Sequence, residues 1–395
     1  MSLHINLESL EALLLIAALV AIAARRLRLP YTVGLLVAGI AVALGPWKPD
    51  FPVTKNLVFS LFLPPLVFEA AFMIRWSELK KDIAPLIAMA TAGVILSTGV
   101  VFLACNKLLG WDWRAALMFS TLISATDPVA VIAMLKEAKV KGRFSLLIEA
   151  ESLFNDGTAA ALFAVALIAV SSGAEPGTAI LSFFKISLGG LACGVAVGLV
   201  AIWLMGRIDD HLVEICCTVV AAYGSFLLAE HFHFSGVLAT VVAGLILGNM
   251  GALQALSAQG RDDAETFWEF CAFVVNSLVF LLMGARIAEA SYLPIIGAAL
   301  AAIAFVTIGR GVAVYVVMAL FSRSKHRLDI GSQHLLVWGG MRGALALALA
   351  LGLPADLPMR QEVVSITFAI VAFSTVVQGM TMKPAMNLLL LKNEV

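Results

Sequence analysis

The chain has 395 residues, of which 61% are hydrophobic and only 13% charged. Its mean hydropathy is +0.99, and apolar stretches of about 20 residues recur along it, which excludes a set of soluble domains and predicts an all-α polytopic membrane protein in contact with a lipid bilayer. The formal net charge is zero, so no nucleic-acid partner is expected.

Apolar stretches in chain order predict about 13 transmembrane helices. The first, around Glu11 to Ala24, lacks a basic flank and a small-residue cleavage site, so we interpret it as a span rather than a signal peptide. The last is long, and Gly379 and Pro384 favour an interruption there. The predicted spans cover about residues 8–24, 30–46, 54–74, 83–107, 113–135, 144–172, 178–205, 211–231, 235–250, 264–287, 293–320, 331–353 and 361–391.

Basic residues in the loops predict the orientation. An odd number of spans puts the two termini on opposite sides of the membrane. Lys and Arg are concentrated in the loops that face inward if the N-terminus is outside, for example at Arg25, Arg26 and Arg75. The positive-inside rule therefore predicts a cytoplasmic C-terminus.

Two spans carry a signal that breaks the helical backbone at mid-depth. The fifth contains Thr126, Asp127 and Pro128, and the twelfth contains Gly339-Gly340-Met341-Arg342-Gly343. Pro128 lacks an N–H, so carbonyls around Ser124 to Thr126 lose their helical partners. Interrupted helices at corresponding places predict inverted repeats with two discontinuous crossing helices, spans 5 and 12, and a binding site where they meet. The alternative is a simple proline kink capped by Thr126.

A polar cluster on the sixth span supplies the chemistry. Ser152 and Asp156 are four residues apart and share one face of a helix, whereas Glu151 and Asn155 align about 100° round it. A carboxylate is costly in hydrocarbon and usually marks an ion or proton path. We expect Asp156 to be the principal cation and proton ligand, and Asn155 to hydrogen-bond to unwound backbone. Alternatively, Asp156 balances the charge of a buried Arg.

The remaining ligands of the predicted cation site come from the break in span 5. Asp127, Ser152 and the Thr126 carbonyl are expected to complete a shell of oxygen ligands around Na⁺ with Asp156, because hard cations prefer oxygen. A site that binds either Na⁺ or H⁺, but not both tightly, is sufficient for exchange by alternating access. No cofactor is expected beyond the transported Na⁺ or Li⁺ and H⁺.

Four further charged residues inside the predicted spans bear on the site, namely Glu69, Glu151, Arg310 and Arg342. Glu151 needs a positive partner, for which Arg310 is the first choice and Arg342 the second, and we interpret this ion pair as structural. Glu69 either reaches the site through water or lines a cytoplasmic funnel; the alternative is a protonated carboxyl that packs helices together.

At these residues the chain resembles the monovalent cation:proton antiporter superfamily, specifically the NhaP-like branch of sodium/proton exchangers. The likeness covers essentially the whole chain. Four stretches carry it: Phe68-Glu69-Ala70, Ser124 to Val131, Glu151 to Gly157, and Gly339 to Leu345.

The resemblance implies a thirteen-helix homodimer whose core moves like an elevator against a dimer domain. It implies a dimer domain from residues 1–75 (helices 1–3) and 211–287 (helices 8–10), a linking helix at 178–205, and a core from 83–172 (helices 4–6) and 293–395 (helices 11–13). It also implies an ion site at Asp127, Ser152, Asp156 and the Thr126 backbone, with Glu69 nearby through water, and an ion pair between Glu151 and Arg310.

Asn155 bears on the stoichiometry that the resemblance implies. The electrogenic branch of the superfamily has a second Asp at this position, and the Asn form resembles electroneutral one-for-one exchangers. The absence of a cytoplasmic tail differs from the animal exchangers and implies a prokaryotic inner-membrane protein.

Other functions fit the sequence less well. K⁺/H⁺ exchange is the alternative within the class, since the same ligands in a slightly larger cage hold K⁺. A channel requires a repeated selectivity filter, and none is present in the sequence. An intramembrane hydrolase requires a nucleophile and base, and Gly224-Ser225 lacks the pattern of a nucleophile elbow.

Overall fold

A computed structural model describes most of the chain. The described residues are 7–27, 29–46, 54–129, 131–132, 135, 142–172, 176–207, 210–249, 257–289 and 292–389. The ends of predicted spans 5 and 13, at residues 133–134 and 390–391, lie outside them, as do the outermost residues of the two terminal domain ranges. No β-strand occurs among the described residues, so this part of the protein is all-helical.

The helices follow one another with short connections. They are α1 (Leu7–Leu27), α2 (Tyr31–Leu44), α3 (Leu63–Met73), α4 (Trp76–Leu79), α5 (Ile83–Ala88), α6 (Val94–Leu108), α7 (Trp113–Leu122), α8 (Arg143–Ser172), α9 (Pro176–Met205), α10 (His211–His231), α11 (Gly236–Asn249), α12 (Ala258–Glu289), α13 (Ile296–Leu320), α14 (Ile330–Trp338), α15 (Ala344–Leu351), α16 (Arg360–Phe373) and α17 (Gly379–Leu389). Three π-helical segments extend or join them: Leu57–Phe62 before α3, Met89–Gly93 between α5 and α6, and Ser374–Gln378 between α16 and α17.

Within the described residues, 8 helical stretches are long and apolar enough to cross a membrane, which makes this a multi-pass membrane protein. Three other predicted spans fall on shorter apolar helices, namely Tyr31–Leu44, Leu57–Met73 and Gly236–Asn249. Predicted spans 5 and 12 fall on α7 and on the pair α14–α15: α7 and α14 end beside a predicted break, and α15 begins after one. The interruption favoured by Gly379 and Pro384 does not occur, because Arg360–Leu389 is helical throughout and Pro384 lies inside α17.

Glycines bring two helix pairs into close backbone contact on one side of the site. Gly39 of α2 and Gly284 of α12 lie against each other, so a Cβ on either would collide with the partner's backbone. Gly248 of α11 packs in the same way on the carbonyl of Phe72 in α3. Small residues at helix interfaces allow this approach in membranes, where dispersion contacts replace the hydrophobic effect as the source of stability.

On the other side of the site, α6 packs against α13 through Gly309, where an added Cβ would lie 3.1 Å from the carbonyl of Ser97. This contact places Arg310, the next residue of α13, in the protein interior with 7% of its surface exposed. The same side of the protein contains α7, α8 and the pair α14–α15. These elements and the segments that join them carry the polar residues predicted from the sequence, except Glu69, which lies on α3.

Candidate functional site

The helix that begins with α7 is interrupted at residues 125–128, which have no regular secondary structure. The sequence predicts freed carbonyls here, and each of the three has a side-chain donor. Arg342 Nη1 donates to the carbonyls of Ser124 (3.4 Å) and Ala125 (3.1 Å). Ser152 Oγ donates to the carbonyl of Thr126 at 2.5 Å. The break is thus stabilised by groups from other elements, as buried backbone in a membrane protein requires.

The second break lies between α14 and α15 and contacts the first directly. The backbone N–H of Asp127 donates to the carbonyl of Met341 at 2.8 Å. Gly343 lies so close to the Asp127 carboxylate that a Cβ at position 343 would collide with it. The N–H of Arg342 donates to Ser374 Oγ at 3.1 Å, which ties this segment to the last helical stretch. The two interrupted segments therefore meet, and Asp127 lies at their contact.

Asn155 links α8 to the first break through both ends of its amide. Its Oδ1 accepts a hydrogen bond from the Thr126 N–H at 3.1 Å. Its Nδ2 donates to Thr126 Oγ1 at 2.6 Å and to Glu151 Oε1 at 3.1 Å. The side chain is fully buried. Asn155 thus holds the unwound backbone in position while adding no charge.

Asp156 and Asp127 differ in how their carboxylates are satisfied. Asp127 Oδ1 accepts a hydrogen bond from the Val129 N–H at 2.9 Å, as expected of an Asp that caps the helical residues after the break. Asp156 Oδ1 is buried and has no hydrogen-bond partner among the described residues. A buried carboxylate oxygen without a donor is costly unless a proton or a cation compensates it.

Glu151 is paired with Arg310, and not with Arg342. The pair is bidentate, with Arg310 Nη1 at 2.7 Å from Oε1 and Nη2 at 2.8 Å from Oε2. Arg310 also donates to the carbonyl of Leu336 at 3.3 Å. Arg342 is equally buried and directs its Nη1 to the carbonyls of the first break, while its Nε has no partner among the described residues. Of the two arginines that the sequence allows as partners of Glu151, Arg310 therefore fills that role.

A cavity of about 300 Å³ lies between the two sides of the protein. It is lined by Thr126, Asp127, Ser152 and Asp156 from one side and by α3 and α12 from the other. Glu69 lies in the α3 wall of this cavity. Four of the predicted site residues thus share one space with Glu69, whereas Glu151 and Arg310 are absent from its lining.

Sequence reasoning missed two polar residues of this cavity, Glu149 on α8 and Asn276 on α12. Glu149 precedes Asp156 by seven residues, which is two helical turns, so it lies on the same face of α8. That spacing could have identified it. Asn276 is a neutral amide within a long helix, and nothing in the sequence around it distinguishes it.

The donor set of the cavity suits a hard monovalent cation. Carboxylate, hydroxyl and carbonyl oxygens are available from Asp127, Asp156, Ser152 and Thr126. Among the described residues, no group of three or more His, Cys, Asp or Glu has the arrangement of a metal site.

Comparison with known proteins gives one family. The family model described as "Sodium/hydrogen exchanger, transmembrane" matches residues 13–388. The Na(+)/H(+) antiporter ApNhaP of Aphanothece halophytica is 36% identical over 90% of this chain and 69% of its own length. The Na(+)/H(+) antiporter NhaH of Halobacillus aidingensis is 35% identical over 95% of this chain and 96% of its own.

Solved structures agree in fold. Two structures of the sodium proton antiporter MjNhaP1 from Methanocaldococcus jannaschii superpose with TM-scores of 0.76 and 0.80. Both are 20% identical to this chain, and they cover 98% and 99% of it. At this identity the likeness concerns the arrangement of the helices.

Proposed function

Because the chain belongs to the transmembrane sodium/hydrogen exchanger family, we propose that it exchanges one Na⁺ or Li⁺ for one H⁺ by alternating access at a shared carboxylate site. The family consists of secondary transporters, so the protein is not an enzyme and needs no cofactor. Relatives that are named Na(+)/H(+) antiporters support Na⁺ as the cation.

Asp156 is the proposed principal ligand of both cation and proton. The observation that carries this assignment is its buried Oδ1, which has no donor among the described residues and belongs to a side chain that lines the cavity. Asp127, Ser152 and the Thr126 carbonyl would complete the shell, and Glu69 would contribute through water. Two cargoes then compete for one oxygen, and that competition couples their movements.

Binding of Na⁺ would rearrange two of the proposed ligands. The Ser152 hydroxyl donates a hydrogen bond to the Thr126 carbonyl, so these two groups are hydrogen-bond partners in the structure. A cation between them requires the hydroxyl to turn its proton away and present a lone pair. Thr126 Oγ1, which donates to Ser152 Oγ at 3.2 Å, would keep the hydroxyl in place during this change.

The proposed one-for-one stoichiometry is supported by the side chains at positions 151 and 155, neither of which would need a transported ion to compensate its charge. Glu151 has a bidentate Arg310, so its charge is compensated without a transported ion. Position 155 is an amide, which cannot carry a proton across the membrane. Exchange of one cation for one proton at the proposed Asp127–Asp156 site would move one positive charge each way and no net charge.

We further propose the architecture that the sequence resemblance implies. It comprises 13 spans, with spans 5 and 12 as discontinuous crossing helices of an inverted repeat, in the inner membrane of a prokaryotic cell with the N-terminus outside. A core of residues 83–172 and 293–395 would move as an elevator against a dimer domain of 1–75 and 211–287, which residues 178–205 connect. The contact of the two breaks through Asp127 and Met341, and the cavity between the two sides, support this division.

Proton flux in proteoliposomes tests the proposal. With a pH gradient imposed, Na⁺ or Li⁺ should drive proton flux that is unchanged when an ionophore clamps the membrane voltage. K⁺-driven flux without Na⁺-driven flux would contradict the cation assignment, and voltage-dependent flux would contradict the stoichiometry.

Asp156→Asn should abolish this flux and leave the folded protein intact, because it removes the exchangeable charge at constant shape. Asp262→Asn is the matched control, since Asp262 is exposed at the start of α12 and should be dispensable. Exchange retained in Asp156→Asn would reject the site.

A further inference from the structure

We propose that Asn276 of α12 is a ligand of the transported cation, on the wall of the cavity opposite Asp127 and Asp156, and that its amide oxygen raises the affinity for Na⁺ without affecting the affinity for H⁺. This inference rests on the proposed exchange function. It adds a neutral ligand from another element to the carboxylate, hydroxyl and carbonyl oxygens proposed above.

Asn276 lies inside a membrane-spanning helix. It is near the middle of α12, in a helical stretch, Gln259–Glu289, that is long and apolar enough to cross a membrane. A polar side chain in such a place is costly unless a partner satisfies its polar atoms, and it often belongs to an ion path. Asn276 is therefore expected to have a hydrogen-bond or cation partner.

The neighbouring Ser277 has such partners within the protein. Its side chain is fully buried, its Oγ lies 2.6 Å from the hydroxyl of Tyr31 on α2, and it donates to the carbonyl of Phe273. Asn276 is about 100° round the helix from Ser277 and is only partly buried. No hydrogen bond joins its amide to another described residue. Because Asn276 lines the cavity, its partner is expected among the ions or waters that enter it.

The wall around Asn276 offers a cation few other ligands. Among the described lining residues, α3 and α12 contribute one carboxylate, Glu69, and otherwise apolar side chains such as Leu66. The cavity volume of about 300 Å³ corresponds to about ten water molecules at about 30 Å³ each. A cation held by Asp127 and Asp156 can therefore keep water on the side that faces α12, where the amide of Asn276 would replace one of these waters.

An amide distinguishes between the two cargoes. Its carbonyl oxygen is a hard ligand of the kind that Na⁺ prefers, but an amide does not take up a proton as a carboxylate does. The titratable residues that line the cavity, within the part of the chain that the structure describes, are Glu69, Asp127, Glu149 and Asp156, and none of them is on α12. Asn276 would therefore favour Na⁺ in its competition with H⁺, since it stabilises one cargo only.

The test is Na⁺-driven flux in proteoliposomes of wild type and Asn276→Leu, measured from about pH 6.5 to about pH 8.5. Leu is similar in size to Asn but has no oxygen. The variant should raise the apparent KM for Na⁺ by about three- to tenfold, which is the effect of losing one contact of hydrogen-bond strength. The factor should be the same at each pH, because the affinity for the competing H⁺ is unchanged, and the maximal rate should not change.

Two further variants control for structure. Ser277→Ala removes the neighbouring side chain that contacts Tyr31, so it should lower the free energy of unfolding and leave the KM for Na⁺ unchanged. Asn276→Asp keeps an oxygen at this position and should retain at least the wild-type affinity at about pH 8.5. Thermal unfolding in detergent at increasing Na⁺ concentration measures binding without transport, because a ligand of the folded protein raises the Tm. Asn276→Leu should require about three- to tenfold more Na⁺ for the same rise.

The outcomes separate this inference from the proposed function. A wild-type KM in Asn276→Leu, in preparations where wild type exchanges and Asp156→Asn does not, would overturn the role of Asn276 alone. Equal losses of affinity in Asn276→Leu and Asn276→Asp, or a KM ratio that varies with pH in Asn276→Leu, would also overturn it, because the residue would then act through packing or through the carboxylates. Absence of Na⁺-driven flux in the wild type would instead reject the exchange function, and the Na⁺ dependence of unfolding would still decide whether Asn276 binds the cation.

Discussion

The Glu151–Arg310 pair is a buried ion pair whose hydrogen bonds are well formed on both sides. Each side chain is less than a tenth exposed, and Arg310 adds a bond to the Leu336 carbonyl. Burying two charges is itself costly, so the pair gives little net stability relative to an apolar pair. Removing one partner leaves the other charged, buried and unpaired.

We therefore expect Glu151→Ala and Arg310→Ala each to lower the free energy of unfolding by about 3–5 kcal/mol. The double variant should lose less than the sum of the two. Thermal unfolding in detergent measures these values. The exposed pair Arg286–Glu289, at 3.1 Å, is the control and should contribute at most about 1 kcal/mol. Additive losses in the double variant would show that the two residues act independently.

The sequence predicted some of these residues better than others. That Ser152 and Asp156 share one face of α8 follows from helical periodicity alone, since residues four apart are neighbours on a helix. Which Arg pairs with Glu151 could not be predicted, because Arg310 and Arg342 lie on separate elements whose approach depends on the packing of α8, α13 and α14. Whether Arg342 is held by carbonyls of the first break likewise depends on how the two breaks meet.

At the scale of elements, the two breaks act as one unit because their backbones contact each other. Asp127 donates its N–H to Met341, and Gly343 leaves just enough space for the Asp127 carboxylate. The glycine is required here by close approach, because a Cβ at position 343 would collide with the Asp127 carboxylate. A side chain at position 343 must displace a proposed ligand of Na⁺.

Gly343→Ala should therefore weaken the apparent affinity for Na⁺ more than it lowers stability. Na⁺-driven flux gives the affinity, and thermal unfolding gives the stability. Gly224→Ala in α10 is the matched control, because a Cβ there meets nothing within 4 Å. A normal affinity in Gly343→Ala would mean that Asp127 can shift without consequence, which would count against its role as a ligand.

Element boundaries were predicted less well than element positions. Pro384 was expected to interrupt the last helix, yet the helix continues through it. The missing N–H of Pro384 is evident in the sequence, but whether the helix continues past it depends on the surrounding structure. The two predicted interruptions therefore differ. The Gly-rich segment before α15 is not helical, as predicted, whereas the segment around Gly379 and Pro384 in α17 is helical.

At the scale of the whole molecule, a polar cluster ties together three connections that are distant in sequence. Asp82, before α5, accepts hydrogen bonds from Arg143 Nε and Nη2, both at 2.8 Å. His326, between α13 and α14, lies 2.9 Å from Asp82 through its Nδ1. Arg143 also donates to the carbonyls of His326 and Arg327. The cluster thus fixes the starts of α5 and α8 relative to the α13–α14 connection.

This cluster has a defined pH dependence. Burial on its own would raise the pKa of Asp82, but the hydrogen bonds and positive charges of Arg143 and His326 outweigh it and hold the pKa below the ordinary value of 3.8. A depressed pKa in the folded state means that the carboxylate stabilises the protein above the unfolded value. That stabilisation is lost as the pH falls through the folded value.

We expect Asp82→Asn to lower the free energy of unfolding by about 1–3 kcal/mol at neutral pH. The difference from wild type should persist down to about pH 5 and disappear only below about pH 4. Thermal unfolding across this range measures it, with Asp112→Asn, at the start of α7, as a control that removes a carboxylate charge but neither a helix cap nor an ion pair. A difference that vanishes already between pH 8 and pH 6 would contradict the assignment to the Asp82 carboxylate.

If Asp156 is the shared site proposed above, its Oδ1, which has no hydrogen-bond donor among the described residues, has a consequence for how tightly the Na⁺ and H⁺ fluxes would be linked. If the protein changed its exposure with neither cargo bound, it would have to carry a bare carboxylate through a region of low dielectric, which is far costlier than moving a neutralised one. Empty carriers would then stay where they released their ion until another arrives. Slippage, in which the carrier returns without a bound ion and the gradient is dissipated, would be suppressed by this electrostatic cost alone. The lack of a donor to Asp156 Oδ1 among the described residues would thus favour tight coupling of the two ion movements.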